Sequence, residues 1–272
     1  MVLLRFWGVR GSIPTPDAAN LGYGGNTACL EIRGRDGSVV VIDGGTGARR
    51  LGTALAGEFR GQKLTIHYLL THFHSDHIQG LPFFEPLFDP STKVIFYAGC
   101  AAGYTRSVLE QVMAPPYFSV PFDFTGARTD FLQIDTAAIQ LGDLSIRGFP
   151  LNHPQGATGF RIDSGDASIV HAGDVEHGDV RLDGVLREFA QHASLLIHDA
   201  QYTLADYEHH RGWGHSTWRD AARVARDARV SQLLLFHHDP NHDDAVIDQL
   251  VTQARHEFQN TDAAREGSEF TW

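Results

Sequence analysis

Three histidines and one aspartate lie within six positions of the chain, at His72, His74, Asp76 and His77. Imidazole nitrogen and carboxylate oxygen are ligands that zinc, iron and manganese accept in proteins. The cluster directly follows the apolar run 64–70, which is rich in β-formers and predicts a buried strand. Because ligands and metals bind where strands end in layered α/β folds, this stretch predicts a metal site.

The spacing of the cluster indicates two neighbouring ions. His72 and His74 are two residues apart, so on extended backbone they point the same way and could share one ion. The chain is then expected to turn, with Ser75 or Asp76 capping a helix that begins near His77. This turn would let Asp76 and His77 reach a second ion beside the first. The alternative is a solvated, histidine-rich loop.

The pattern His-x-His-x-Asp-His after a buried strand resembles the signature of the metallo-β-lactamase superfamily, a set of mostly dinuclear metallohydrolases. The resemblance covers nearly the whole chain and implies three more ligands, His153, Asp174 and His237, with Asp174 as the bridging aspartate. His237 is preferred to its neighbour His238 because it ends the leucine run. The resemblance also implies that Asp43 is a carboxylate that orients a ligating histidine.

Two further motifs resemble those of the ribonuclease Z-like phosphodiesterases within this superfamily. The block 198–201, His-Asp-Ala-Gln, resembles their His-Glu-Ala-Thr block and places Asp199 at the glutamate position. The block 214–217, Gly-His-Ser-Thr, matches theirs and contains His215. In that family the acidic residue and the histidine pair beside the metals, where a protonated histidine can stabilise charge on a phosphate. The same stretch also fits a helix start, with a cap just after His215.

The charge balance argues against a large nucleic acid as partner. The chain has 22 lysines and arginines against 33 acidic residues, a formal charge of −11. Polyanion binding relies on cationic side chains that neutralise several phosphates. Ribonuclease Z also carries a long, basic, glycine- and proline-rich arm, and no such arm stands between His153 and Asp174 or between Asp174 and Asp199. A small phosphodiester is therefore the favoured substrate.

The resemblance implies a dinuclear, metal-dependent phosphodiesterase that cleaves a small cyclic or linear phosphodiester, such as a cyclic nucleotide or cyclic ribose phosphate. Two divalent ions, zinc foremost and manganese or iron as alternatives, would share a bridging hydroxide as nucleophile. Asp76 and Asp174 would hold the metals and orient the nucleophile, and His215, fixed by Asp199, would assist at the phosphate. The alternatives are a carboxylic ester, lactone or thioester hydrolase and a non-enzymatic metal-binding sensor.

At 272 residues and 42% hydrophobic, the chain can bury a core as a single domain, 1–272. Alternating β-like and helical patches predict α/β layers, and the resemblance implies a four-layer αββα sandwich. The segment 82–125 is rich in aromatics and proline and is expected to form an insertion near the active site. Its loop 115–124 would either stack on a nucleobase or form a dimer interface or local core.

The sequence carries no signal-peptide pattern and no apolar run near the ~20 residues of a membrane span, so a cytoplasmic protein is expected. Cys29 and Cys100 are too far apart to form the CxxC pair of a structural zinc site, and reduced thiols are expected. The expected partners are a small-molecule phosphodiester and no membrane. A homodimer would be compatible with the aromatic segment.

Overall fold

Two seven-stranded β-sheets form the framework of the protein, as described over residues 1–272 by a computed structural model. The first sheet consists, in spatial order, of β14 (Glu269–Thr271), β1 (Leu3–Gly8), β2 (Cys29–Arg33), β3 (Val39–Ile42), β4 (Leu64–Leu70), β5 (Thr92–Ala98) and β6 (Arg128–Gln133). The second sheet consists, in spatial order, of β13 (Thr261–Ala263), β12 (Leu233–Phe236), β11 (Leu195–Asp199), β10 (Ala167–Ala172), β9 (Ala157–Ser164), β8 (Leu144–Leu151) and β7 (Ile139–Leu141).

Helices cover the outer face of each sheet. The seven α-helices are α1 (Gly47–Glu58), α2 (Ser75–Ile78), α3 (Ala102–Val112), α4 (Val180–Ala190), α5 (Leu204–His210), α6 (Trp218–Asp227) and α7 (Asp244–Glu257). Helices α1 and α3 pack on the first sheet, and α4, α6 and α7 pack on the second. None of the helices has the length and apolar character needed to cross a bilayer. The predicted four-layer αββα sandwich is confirmed.

The alternation of side chains along the strands explains the layers. In β4, Ile66 and Tyr68 point into the apolar layer beneath α1 and α3, whereas Leu69 points into the layer between the sheets. Phe6 and Phe236, one from each sheet, meet in that central layer with ring centroids 6.2 Å apart. Burying a large apolar side chain is worth about 1.5–3 kcal/mol, so these layers hold the sheets face to face.

Parallel strands at the centre of each sheet direct their ends to one edge. Strands β3, β4 and β5 are parallel to one another, as are β10, β11 and β12. The carboxyl ends of parallel strands meet at the same edge of a sheet, where α/β folds place their ligands. The loops that follow these strands in both sheets therefore converge in a single region.

The segment 82–125, expected to be an insertion, contributes a strand to the first sheet. Strand β5 pairs with β4 from Leu64–Thr92 to Leu70–Ala98, because its apolar alternation suits a sheet interior. Phe122 packs on Phe96 of that strand at a centroid distance of 6.4 Å, so part of the aromatic loop belongs to the core. Tyr117 and Phe124 are instead exposed.

A fully buried arginine fastens the loop after β12 to the loop after β1. The guanidinium of Arg10 donates to the carbonyl oxygens of Gly24 (2.8 Å), Asp239 (3.1 Å) and His242 (2.6 Å). The nearest carboxylate, Asp244, is 3.9 Å away. Carbonyl dipoles therefore provide most of the compensation for this buried charge, and the loop that begins with His237 is held in place.

Candidate metal centre

Three histidines from the two sheets converge on one point. His72 and His74 follow β4 of the first sheet, and His153 follows β8 of the second. One ring nitrogen of each lies within 4.8 Å of the other two. The closest approach joins Nε2 of His153 to Nδ1 of His74 at 3.1 Å. The histidines predicted to share one ion are thus brought together.

Asp76, His77 and His237 form a second group beside the first. An oxygen of Asp76 lies 3.2 Å from Nε2 of each of these two histidines, whose Nε2 atoms are 3.3 Å apart. The carboxylate of Asp174 lies between the groups. Its oxygens are 3.3 Å from Nε2 of both His77 and His237 and 3.7 Å from Nε2 of His72. All seven predicted ligands therefore gather at one edge of the sandwich.

Each of the five histidines has its other ring nitrogen held by a hydrogen-bond acceptor. The pairs are His72 with the hydroxyl of Thr71 (3.0 Å), His74 with Gln155 Oε1 (2.9 Å), His77 with Asp43 Oδ2 (2.8 Å), His153 with the carbonyl of Gly214 (2.8 Å) and His237 with Gln201 Oε1 (2.9 Å). Such contacts fix the tautomer and orientation of a ligating histidine. Asp43 lies where the sequence predicted.

Four of these five acceptors were not predicted from the sequence. Thr71 directly precedes His72, and Gln201 belongs to the block 198–201, so their polar side chains beside predicted site residues were an available signal. The hydroxyl of Thr71 donates to Asp43 (2.8 Å) and can therefore accept from His72. Gln155 left no recognisable signal, and although Gly214 belongs to the block 214–217, nothing in the sequence indicated that its backbone carbonyl would contact His153.

The nitrogens and oxygens that remain free face one another in a buried pocket. Nε2 of His77 lies 3.3 Å from Nε2 of His237 and 3.3 Å from Asp174 Oδ1, and although burial opposes it, the surrounding carboxylates raise the pKa of His77 well above its ordinary value. Nε2 of His72 and Oδ1 of Asp174 are buried without a hydrogen-bond partner. Burial lowers the pKa of His72 well below its ordinary value, which keeps the ring neutral as a metal ligand must be.

Divalent cations fit this donor set. Unpaired acceptors in a dry pocket are costly unless positive charge lies between them. Five imidazoles and two carboxylates suit zinc, with Asp174 placed to contact both groups. One ion would be held by His72, His74 and His153, and the other by Asp76, His77 and His237.

The backbone around the centre is strained. Four non-glycine residues that belong to the site or contact it have φ near +60°: Ser12 (64°), Asp43 (59°), Gln155 (62°) and His237 (60°). Such a conformation costs about 1–3 kcal/mol per residue and persists only where the surroundings impose it. At Ser12 the strain directs the backbone N–H to Asp76 Oδ2 at 2.8 Å. The site is therefore preorganised by its frame.

The expected helix cap is wrong. Helix α2 begins at Ser75 rather than near His77, with His74 at the N-cap position and no side-chain capping bond. The reason is that the Asp76 carboxylate has other partners, the N–H of Ser12 and the rings of His77 and His237. His238 does not reach the centre, because its Nε2 donates to the carbonyl of Ala264 at 2.9 Å.

His215 and Asp199 form a buried pair beside the seven residues. Nδ1 of His215 lies 2.7 Å from Asp199 Oδ2 and 4.0 Å from Asp174 Oδ2, and the ring stacks on His237 at 4.8 Å. Burial alone would lower the pKa of His215, but the Asp199 carboxylate outweighs it and raises the pKa to about 9. Aspartate, although shorter than the glutamate of the resembling block, still makes a short contact.

Asp199 is itself held in place by the backbone. It is fully buried and accepts from the N–H groups of Gln201 (3.0 Å) and Ser216 (3.1 Å). The expected helix start after His215 is confirmed, because Thr217 caps α6 in a capping box with Asp220. The Asp199–His215 pair is thus attached to β11 and α6 at once.

Asp43→Asn is expected to weaken zinc binding by about 10–100-fold, because the charge that orients His77 is lost while the shape is kept. A titration against a competing zinc chelator measures this. The matched control is Asp166→Asn, in the exposed turn between β9 and β10. Equal affinities of all three proteins for the second ion would contradict the role given to Asp43.

Comparison with known proteins shows the family. The model of the beta-lactamase superfamily domain matches residues 40–238, well over half of the chain. Ribonuclease Z of Thermoplasma acidophilum is 26% identical over an alignment that covers 99% of the chain and 96% of that protein. Ribonuclease Z of Haloarcula marismortui is 25% identical over an alignment that covers 94% of the chain and 91% of that protein.

Solved structures share the fold. The metallo-beta-lactamase fold protein YhfI from Bacillus subtilis superposes with a TM-score of 0.76 at 20% identity, covering 99% of this chain and 98% of that one. A diphosphatase from the PhnP family gives a TM-score of 0.72 at 19% identity, covering 100% and 98%. The chain belongs to the beta-lactamase superfamily.

Proposed function

We propose that this chain hydrolyses a small phosphoric diester with the help of two divalent ions, zinc foremost. The observation that carries the proposal is the buried Asp199–His215 pair beside seven metal-ligating side chains. Hydrolysis of esters or lactones does not require such a pair, whereas a phosphate offers oxygens for a protonated histidine to bind. Full-length similarity to proteins named ribonuclease Z supports chemistry at phosphorus.

The roles of the side chains follow from their contacts. Divalent ions bound to the seven ligands supply positive charge opposite the phosphate and lower the pKa of water there. His215, protonated at neutral pH and with no protein partner on Nε2, would donate from that atom to a phosphoryl or leaving oxygen. Asp199 holds its Nδ1–H, and Asp76, anchored by Ser12, would accept a hydrogen bond from the attacking water.

A cavity of about 520 Å³ beside the metal ligands suits a small substrate. Phe73, Tyr104 and Phe149 contribute aromatic surface to its lining, and Asp135 is its one carboxylate. The lining contains no lysine or arginine. A polyanion would need several cations there, so the cavity fits an uncharged substituent of the diester, such as an aryl or nucleoside group.

The aromatic surface beside the ligands includes Tyr104 of the segment 82–125 but no residue of its loop 115–124. Phe73 lies between His72 and His74 in sequence and meets Tyr104 at a centroid distance of 5.7 Å. Tyr104 is 58% exposed and is available to contact a ligand. The loop 115–124 does not line the cavity. Stacking on the substrate is therefore assigned to the Phe73–Tyr104 pair.

Loss of the His215 side chain is expected to reduce kcat/KM for bis-p-nitrophenyl phosphate by about 10²–10³-fold, through loss of a donor to the phosphate. Release of p-nitrophenol by zinc-loaded His215→Ala measures the effect, with bound zinc quantified in parallel. The matched control is His256→Ala, an exposed residue of α7. Unchanged turnover of the diester with both ions bound would overturn the phosphodiesterase proposal, and faster cleavage of a tRNA precursor than of any small diester would overturn the substrate class.

Tyr104→Ala is expected to raise KM for bis-p-nitrophenyl phosphate about 5–10-fold and to leave methyl p-nitrophenyl phosphate less affected, because aromatic stacking is worth about 1–3 kcal/mol per ring. Steady-state kinetics on both diesters provide the measurement. Tyr117→Ala is the matched control, since Tyr117 is 82% exposed and outside the cavity lining. The same KM change for both diesters, or for both variants, would show that the cavity does not bind the substituent.

A further inference from the structure

A second pair of facing histidines lies outside the seven-residue centre. His198 immediately precedes Asp199 on β11 and is fully buried. His177 lies on the loop between β10 and α4, and 16% of its side chain is exposed. The two Nε2 atoms are 3.3 Å apart, with ring centroids 5.3 Å apart and planes within 7°. The rings meet edge to edge through these nitrogens.

The hydrogen bonds of the pair leave the two Nε2 atoms facing each other. Nδ1 of His198 donates to the carbonyl oxygen of Asp199 at 2.7 Å, since a carbonyl can only accept. Nδ1 of His177 donates to Asp183 Oδ1 at 2.8 Å. Burial lowers the pKa of His198 to about 4, so this ring is neutral at physiological pH. Nε2 of His198 is therefore an acceptor, and it faces Nε2 of His177.

This geometry repeats that of His77 and His237 in the metal centre. There too the Nε2 atoms are 3.3 Å apart, the centroids are 5.3 Å apart, and the planes lie within 15°. Both rings likewise donate Nδ1 hydrogens to neighbouring acceptors. Two nitrogens bound to one tetrahedral zinc at about 2.0–2.1 Å are about 3.3–3.4 Å apart, which matches both pairs.

We propose that His177 and His198 form a third metal site, which takes a divalent cation of the zinc and copper class through two imidazoles and water. Imidazole favours such ions, and the partial exposure of His177 leaves room for water ligands. The carboxylate of Asp183 orients His177 as Asp43 orients His77. Asp183 also accepts from the N–H of Gly178 at 3.1 Å, which fixes the loop.

The third ion would tie together the two elements that carry the catalytic carboxylates. His177 is on the same short loop as Asp174, and His198 is adjacent to Asp199 in β11. An ion between them would restrain that loop against β11 without contacting the substrate. The third ion would therefore stabilise this edge of the second sheet and would take no part in hydrolysis of the substrate.

The test is a metal count on the full chain. After loading with zinc and dialysis against micromolar free zinc, the wild type is expected to retain three equivalents and His177→Ala two, with little change in kcat for bis-p-nitrophenyl phosphate. Asp183→Asn, which keeps the fold of α4, is expected to weaken the third equivalent by about 10–100-fold. His256→Ala is expected to keep all three.

Binding of Cu²⁺ distinguishes the third site from the main metal centre by spectroscopy. With the main centre filled by zinc, one equivalent of Cu²⁺ is expected to show nitrogen hyperfine coupling from two imidazoles in its electron paramagnetic resonance spectrum, and His177→Ala is expected to abolish that signal. Two equivalents of zinc in the wild type, or a third that persists in His177→Ala, would overturn the proposal. In the former case a proton lies between the two Nε2 atoms, with Asp183 accepting from Nδ1 of His177, and no ion binds.

Discussion

Five imidazoles and two carboxylates are gathered in a buried pocket, and the rest of the structure depends on how their charges and lone pairs are compensated. The carboxylates of Asp76 and Asp174 and the free nitrogens of five histidines lie within a few ångströms of one another at the edge of the sandwich. Desolvated acceptors repel one another unless cations lie among them. Divalent metal bound there would therefore be part of the folded structure, and its binding free energy would be linked to folding.

Each of the two sheets supplies part of the candidate ligand set. The first sheet supplies the cluster after β4, and the second supplies His153, Asp174 and His237 from the ends of three strands. Neither sheet alone supplies all the candidate ligands of either ion, because each ion would need residues from both sheets and the carboxylate of Asp174. The strained backbone at Asp43 and His237 is held by packed strands on both sides, so the cost of strain is offset by the core between the sheets.

The seven candidate ligands, which the structure brings together, could be chosen from the sequence because they are local or follow recognisable strands. The spacing of His72, His74 and Asp76 after an apolar run indicates by itself that their side chains can lie close together. The distant ligands, His153, Asp174 and His237, were predicted from the family resemblance. The orienting partners were harder to predict. Gln155 is 81 residues from His74, and Gly214, whose backbone oxygen makes the contact, is 61 residues from His153. No spacing rule links such loops before the fold is known.

Local rules failed where tertiary contacts competed with them. A capping role for Asp76 is a sound local expectation, but the N–H of Ser12 and two histidines provide that carboxylate with other partners. The aromatic segment 82–125 looked like an insertion because prolines and aromatics obscured β5, which pairs along its whole length with β4. The fold class was more robust, since it rests on the alternation of many strands and helices.

The most direct test of the two-ion centre is the crystal structure of the zinc-loaded protein with anomalous diffraction measured on both sides of the zinc absorption edge. We expect one peak within coordination distance of His72, His74 and His153, another at Asp76, His77 and His237, and Asp174 in contact with both. A single ion, or two ions that leave the Asp174 carboxylate uncoordinated, would contradict this expectation.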